Sequence, residues 1–186
     1  MTNSFKIVID GNELDHSPGE YSPEEIYFGS EKRNLDGSLD SQYYKTKYRF
    51  SLSNTTITQW ETLMRIGAKR SKTVDYRDST YLMQTFNGDG STVQFDLNRK
   101  AYTGATAKAW IDDVLKTVTF TTATNPTSTD VFINDATGTV TCGSTPTDAN
   151  DNIEIYYQPI YQVKIKQILT YLHSNVKSYQ YILEEV

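Results

Sequence analysis

Asn152-Ile153-Glu154-Ile155-Tyr156-Tyr157-Gln158 alternates apolar with polar side chains and so places Ile153, Ile155 and Tyr157 on one face, the period of a half-buried strand. Upstream, the same kind of run recurs at 91–97 (STVQFDL, with Val93, Phe95 and Leu97 on one face), 107–113 (AKAWIDD), 114–122 (VLKTVTFTT), 130–135 (DVFIND) and 138–142 (GTVTC). Between them lie Gly88-Asp89-Gly90, Asn125-Pro126, Ala136-Thr137-Gly138 and Asp148-Ala149-Asn150-Asp151-Asn152. These are turn formers, because Gly and Asn accept positive φ and Pro fixes φ. Short strands at such spacing predict a small all-β, sandwich-like module.

Charge sets the limits of that module. Residues 84–160 hold 4 Lys/Arg against 9 Asp/Glu, a net of -5, which is the formal charge of the whole chain; the flanks are balanced. The middle is Thr-rich, whereas most of the fourteen Tyr lie outside it. We therefore expect a discontinuous outer domain, 1–83 and 161–186, interrupted by an inserted acidic β domain, 84–160.

The outer segments carry their own strand signals. FKIVID (5–10) leads into a turn at Gly11-Asn12 and then a polar loop containing Pro18, Gly19 and Pro23. From Tyr43 to Leu52 a second strand alternates Tyr48, Phe50 and Leu52 with Lys47, Arg49 and Ser51. Thr58-Gln59-Trp60-Glu61 fits a capping box opening a helix of about three turns, with Trp60, Leu63 and Met64 buried and a stop near Gly67. YQVKIKQI and SYQYILEEV close the chain as two further strands. The fold class is thus mainly β (α+β): an outer sheet with one packed helix, and an all-β insertion.

Composition removes several classes of function. A net charge of -5 argues against nucleic acid as the main partner, since phosphate binding needs a basic stripe. The basic cluster Lys69, Arg70 and Lys72 reads as a solvated helix end. No signal peptide pattern and no long apolar run suggest export or a membrane span, and the lone Cys142, which reads as a small apolar residue, is consistent with folding in a reducing cytoplasm.

Chemistry-bearing residues are scattered. His16 lies in a polar loop and His173 near a turn, neither beside a nucleophile. Asp112-Asp113 reads as a strand reversal and not as an acid–base pair, and the Asp148–Asn152 run lacks the Gly and terminal Glu of a calcium loop, so a hairpin loop is expected. No enzyme, cofactor or metal site is expected.

Lys32-Arg33-Asn34-Leu35-Asp36-Gly37-Ser38-Leu39-Asp40, Tyr44-Lys45-Thr46-Lys47, Tyr48-Arg49-Phe50, Thr58-Gln59-Trp60-Glu61-Thr62-Leu63 and the terminal Leu183-Glu184-Glu185 resemble a pattern recurring in small tail and baseplate proteins of phages and prophages. Asn34 stands where that pattern more usually has Thr. In the middle segment, Gly88-Asp89-Gly90-Ser91-Thr92, Trp110-Ile111-Asp112-Asp113-Val114, Asp135-Ala136-Thr137-Gly138-Thr139-Val140 and Ile153-Glu154-Ile155-Tyr156-Tyr157 resemble the small β modules of phage tail proteins.

The resemblance implies a structural component of a virion tail or baseplate, made in the host cytoplasm. It would assemble as a homo-oligomeric ring and contact other tail proteins. Edge strands and the aromatic strand around Tyr43, Tyr44 and Tyr48 are the expected assembly interface. The alternative is a host-recognition module whose insert binds carbohydrate on Trp110 or Tyr102, although a lone Trp is more often a core residue.

Overall fold

The computed structural model describes residues 7–14, 21–33, 39–54, 60–69, 71–173 and 176–186. Within these, side chains are described at 7–14, 23–26, 47–52, 61–62, 65–69, 71–166 and 181–186. The protein is mainly β, with one short helix among the described residues. Two compact units form: an outer unit, 1–76 with 162–186, and an insert, 77–161. The sequence reading put the breaks at 84 and 160; the units break at 77 and 161.

In the outer unit the strands are β1 (Ile7–Ile9), β2 (Asn12–Leu14), β3 (Tyr21–Arg33), β4 (Leu39–Asn54), β5 (Thr73–Arg77), β14 (Pro159–His173) and β15 (Val176–Glu185). They are ordered β2-β1-β5-β14-β15-β4-β3. β1 turns into β2 through Asp10 and Gly11, whose φ values of 48° and 76° make the two-residue reversal that matches strand twist. The turn thus lies one residue earlier than the expected Gly11-Asn12. Ile7, Ile9, Phe50, Leu52, Tyr181 and Leu183 are all buried, and the Phe50 and Tyr76 rings meet at 4.3 Å.

Helix α1 (Trp60–Gly67) is just over two turns, shorter than expected, and stops at its glycine. Glu61 in the first turn and Arg65 in the last suit the helix dipole, and Ile66 is buried. Thr58 and the side chains of Trp60, Leu63 and Met64 lie outside the described residues. Past the helix, Lys69 forms an ion pair with Asp10 and Lys72 is exposed, so only part of the basic cluster is free surface; Arg70 lies outside the described residues.

The insert holds β6 (Leu82–Gly88), β7 (Gln94–Asp96), β8 (Lys100–Ala101), β9 (Lys108–Ile111), β10 (Val114–Phe120), β11 (Asp130–Ile133), β12 (Thr139–Cys142) and β13 (Ala149–Tyr157). Seven of these run β6-β13-β9-β10-β11-β12-β7, while β8 pairs with Pro159 and Ile160 at the start of β14. β10 changes partners midway: Val114–Lys116 pair with β9, and Thr117–Phe120 run parallel to β11. A strand shared in this way lets one ladder curl round a core, here Ile111, Val131, Ile133, Val140, Ile153 and Ile155.

The two ends of that ladder meet through a side chain. Gln84 on β6 donates from Nε2 to the Asp96 carbonyl on β7 at 3.3 Å, and its Oε1 accepts from the Asn98 N–H at 2.9 Å. Phe86 and Phe95 face each other behind it at 5.3 Å. The connection from β10 to β11 lies so close to Gly143 that a Cβ there would overlap the Thr127 carbonyl.

Besides the short β2 and β8, three strands depart from expectation. β3 occupies sequence read as polar loop, because Pro23 counted as a strand breaker; β3 is the sheet's last strand, where a missing N–H on the outward side leaves no rung unpaired. β5, with Val74 and Tyr76 buried, and β6, with Leu82 and Phe86 packed on the insert core, were also unanticipated.

Candidate functional site

The hairpin β3–β4 outruns its neighbours. Tyr21 through Arg33 pair with Leu52 through Leu39, but β15 accompanies β4 only over Arg49–Asn54. Among the described residues, Leu39–Tyr48 therefore has β3 as its only ladder partner. At about 3.4 Å per residue this two-stranded ribbon is about 30 Å long. At the opposite end β15 overruns β4, with Val176–Ser178 pairing to β14.

All three tyrosines expected at an interface belong to this ribbon. Tyr43 pairs with Gly29, and Tyr44 is the extra residue at a bulge between the Phe28 and Gly29 rungs. Their side chains lie outside the described residues. Tyr48 marks the ribbon's root: half-buried, it stacks on Phe50 at 6.0 Å and donates its hydroxyl to Glu25 Oε1 at 2.7 Å. Its N–H donates to Glu185 Oε2 at 3.0 Å.

The root is braced by charge. Arg49 donates to Glu184 Oε1 from Nη2 at 2.7 Å and from Nε at 3.0 Å, and Glu24 lies 3.4 Å away on the other side. Lys166 sits 3.1 Å from the second Glu184 oxygen. The hydrogen bonds from Arg49, aided by Lys166, hold the Glu184 carboxyl below its usual range, and the Arg49 guanidinium is raised in turn.

A second surface lies on the insert, on the outward side of β6, β13, β9 and β10. One rung reads Met83–Tyr156–Lys108 and the next Thr85–Glu154–Trp110–Leu115. Met83 and Leu115 are 55% and 60% exposed, and Tyr81 stacks on Tyr156 at 4.7 Å with rings 9° apart. Ala109 and Ile111 point inward, so Trp110 falls on the outer face, half-buried, and not in the core. Tyr102 offers no open ring face comparable to this, since the Arg77 guanidinium covers it at 3.7 Å.

The remaining singled-out residues have structural roles or lie elsewhere. Asp112 and Asp113, with φ of 50° and 63°, are the two-residue turn between β9 and β10. Thr147 and Asn152 donate to the Asp112 carboxylate and hold it below the usual range. Asp151 and Asn152 belong to the irregular start of β13, where Asp151 accepts from Thr85, so the expected hairpin loop is in part strand; the twist of a bulge accommodates their polar side chains. Burial pushes the Cys142 thiol up to about 11, which keeps it protonated and unreactive. His173 ends β14 opposite Val176; its side chain, and His16 altogether, lie outside the described residues. Among the described residues no three His, Cys, Asp or Glu gather as metal ligands, and no helix is long and apolar enough to cross a membrane.

The ribbon and the outer aromatic face were both missed by sequence reading. The run Tyr81-Leu82-Met83-Gln84-Thr85-Phe86, rich in strand-forming residues though without alternation, was a signal for β6, and with it one strand of the face. The overhang had no local signal, since it depends on where β15 stops. No known protein family matches this chain, and a search of curated proteins finds no relative.

Proposed function

We propose that the chain is a non-catalytic structural protein of a phage tail or baseplate, assembling as repeated copies through its outer unit and contacting neighbouring tail proteins. The two-stranded β3–β4 ribbon carries this reading. A ribbon of two strands is marginal by itself in water and gains stability when another surface covers it. Tyr-rich strands suit such contacts, because Tyr gives large contact area with few rotors. The insert, with its net charge of -5, is better tolerated spaced apart on the outside of a particle than crowded round a ring. The resemblance of its phrases to those of phage tail and baseplate proteins suggests the particle class.

Proteomics and cryo-electron microscopy of the particle test it. Multiple copies are expected, with the insert at the periphery, and subunits lacking the insert should still incorporate. A particle without this chain, or a map with the insert lining the central channel, overturns the reading.

The half-buried aromatic residues on the outer face of the insert, Tyr81, Trp110 and Tyr156, favour a second reading, host recognition through carbohydrate, because sugar rings stack on flat aromatic surfaces beside polar groups such as Glu154 and Lys108. Trp110→Ala and Tyr156→Ala should each cut retention on host-surface glycans at least tenfold; equal retention removes this reading.

A further inference from the structure

The overhanging part of β3, Glu25–Arg33, faces β4 residues Tyr48–Leu39, which have no third strand among the described residues. Among the described residues its other side is the edge of the sheet. Pro23, which denies an edge its N–H, lies outside this segment, in the part of β3 backed by the full sheet.

The segment is self-complementary. Its nine positions read Glu-Ile-Tyr-Phe-Gly-Ser-Glu-Lys-Arg, acidic at one end and basic at the other, with Gly29 at the centre. Two antiparallel copies related by a two-fold axis must place that axis on a residue position, because successive residues alternate faces and ladder type. With the axis at Gly29, Glu25 stands opposite the second copy's Arg33, Ile26 opposite Lys32, Tyr27 opposite Glu31 and Phe28 opposite Ser30. Every overhanging position is then used and no like charges meet. Shifting the axis to Phe28 sets Glu25 opposite Glu31 twice. A parallel pairing sets Glu25 beside Glu25 and Arg33 beside Arg33.

We propose that the Glu25–Arg33 edge of β3 docks the same edge of a second copy, antiparallel about Gly29, turning two marginal two-stranded ribbons into one four-stranded arm. The inference deepens the reading of the outer unit as the assembling part, but it concerns the free chain and does not require the particle.

Light scattering on the full chain after size exclusion, over a range of concentrations, tests it. The wild type should show twice the chain mass, with dissociation promoted by salt. Glu25→Lys and Arg33→Glu each put two like-charged rungs in the pairing and should weaken it at least tenfold. Mixing E25K with R33E in equal amounts restores opposite charges at both rungs and should restore the dimer, an outcome that misfolded variants cannot mimic. Three results overturn the proposal: a wild type that stays monomeric, an oligomer indifferent to both single reversals, or a mixture that remains monomeric. The first would leave the terminal charges as guards against edge pairing. None of these results bears on whether the chain is found in a particle.

Discussion

The two units solve the same problem of β structure in opposite ways. In the insert the ladder curls until its first and last strands meet, and Gln84 donates to the Asp96 carbonyl on β7 and accepts from the Asn98 N–H just past it. Among the described residues the outer sheet stays open, with β2 at one side and β3 at the other, and its hairpins overrun each other. A ladder that leaves an edge and a ribbon open must either guard that edge or cover it. The proposed division of roles, a presented face on the insert and assembly through the outer unit, rests on that difference.

If the units are energetically separate, core truncations should move one transition each. Phe50→Ala should destabilise the outer unit by about 3 to 5 kcal/mol and leave the insert's unfolding in place, while Ile153→Ala should cost the insert about 2 to 5 kcal/mol. Calorimetry or two-probe denaturation reads both. A shift of both transitions by either variant would mean the chain unfolds as one unit.

Gly143→Ala tests how tightly the insert is closed. A methyl aimed at the Thr127 carbonyl forces the β10–β11 connection outward, at a cost of about 1 to 3 kcal/mol. The same measurement applies, and a neutral result would show that this connection gives way freely.

Gln84→Ala addresses the seam itself. Loss of its two hydrogen bonds across β6 and β7 should cost about 1 to 2 kcal/mol. Hydrogen exchange at the Asn98 amide should quicken, while amides at the centre of β13 hold. Unchanged exchange at Asn98 would leave the seam closed by the Phe86–Phe95 contact alone.

The smallest effect separates the units by their electrostatics. Glu184 in the outer unit and Asp89 and Asp112 in the insert all have depressed carboxyl pKa values. The unfolded chain therefore takes up protons at a higher pH than the folded one. The stabilisation is complete above the unfolded carboxylate range near pH 4 and is lost as pH falls through the lower folded values. Arg49 depresses Glu184, whereas Thr92 and Ser91 depress Asp89 through neutral donors, and Thr147 and Asn152 do so at Asp112. One molar salt should raise the Glu184 value and leave Asp89 in place. Carboxyl titration by NMR resolves the two, and an equal salt response would undo the distinction.

Much of the insert was legible because its signals are local. Ile153, Ile155 and Tyr157 show alternation in five residues, and all three are fully buried. Asp112-Asp113 announces a reversal through its tolerance of positive φ, which both residues adopt. Phe50 and Leu52 in the outer unit were equally readable. Of the candidate surfaces, Tyr48 was named for its composition, yet its position at the root of a ribbon depends on β15, more than a hundred residues away in sequence. Trp110 was expected in the core because Trp usually is; its outward position follows from the parity of β9, which Ala109 and Ile111 already occupy.

Sequence alone determined the strand-rich class, the acid-rich middle segment and the turns, since these depend on side-chain period, charge count and backbone tolerance within a few residues. Tertiary structure alone decided that Pro23 lies in a strand, that Gln84 closes the insert and that β3 ends the outer sheet. Each of these depends on which distant strand supplies, or fails to supply, the next hydrogen bond, and strand pairing is non-local: the backbone groups that pair are the same in every residue, so the sequence near an edge does not say where its neighbour ends.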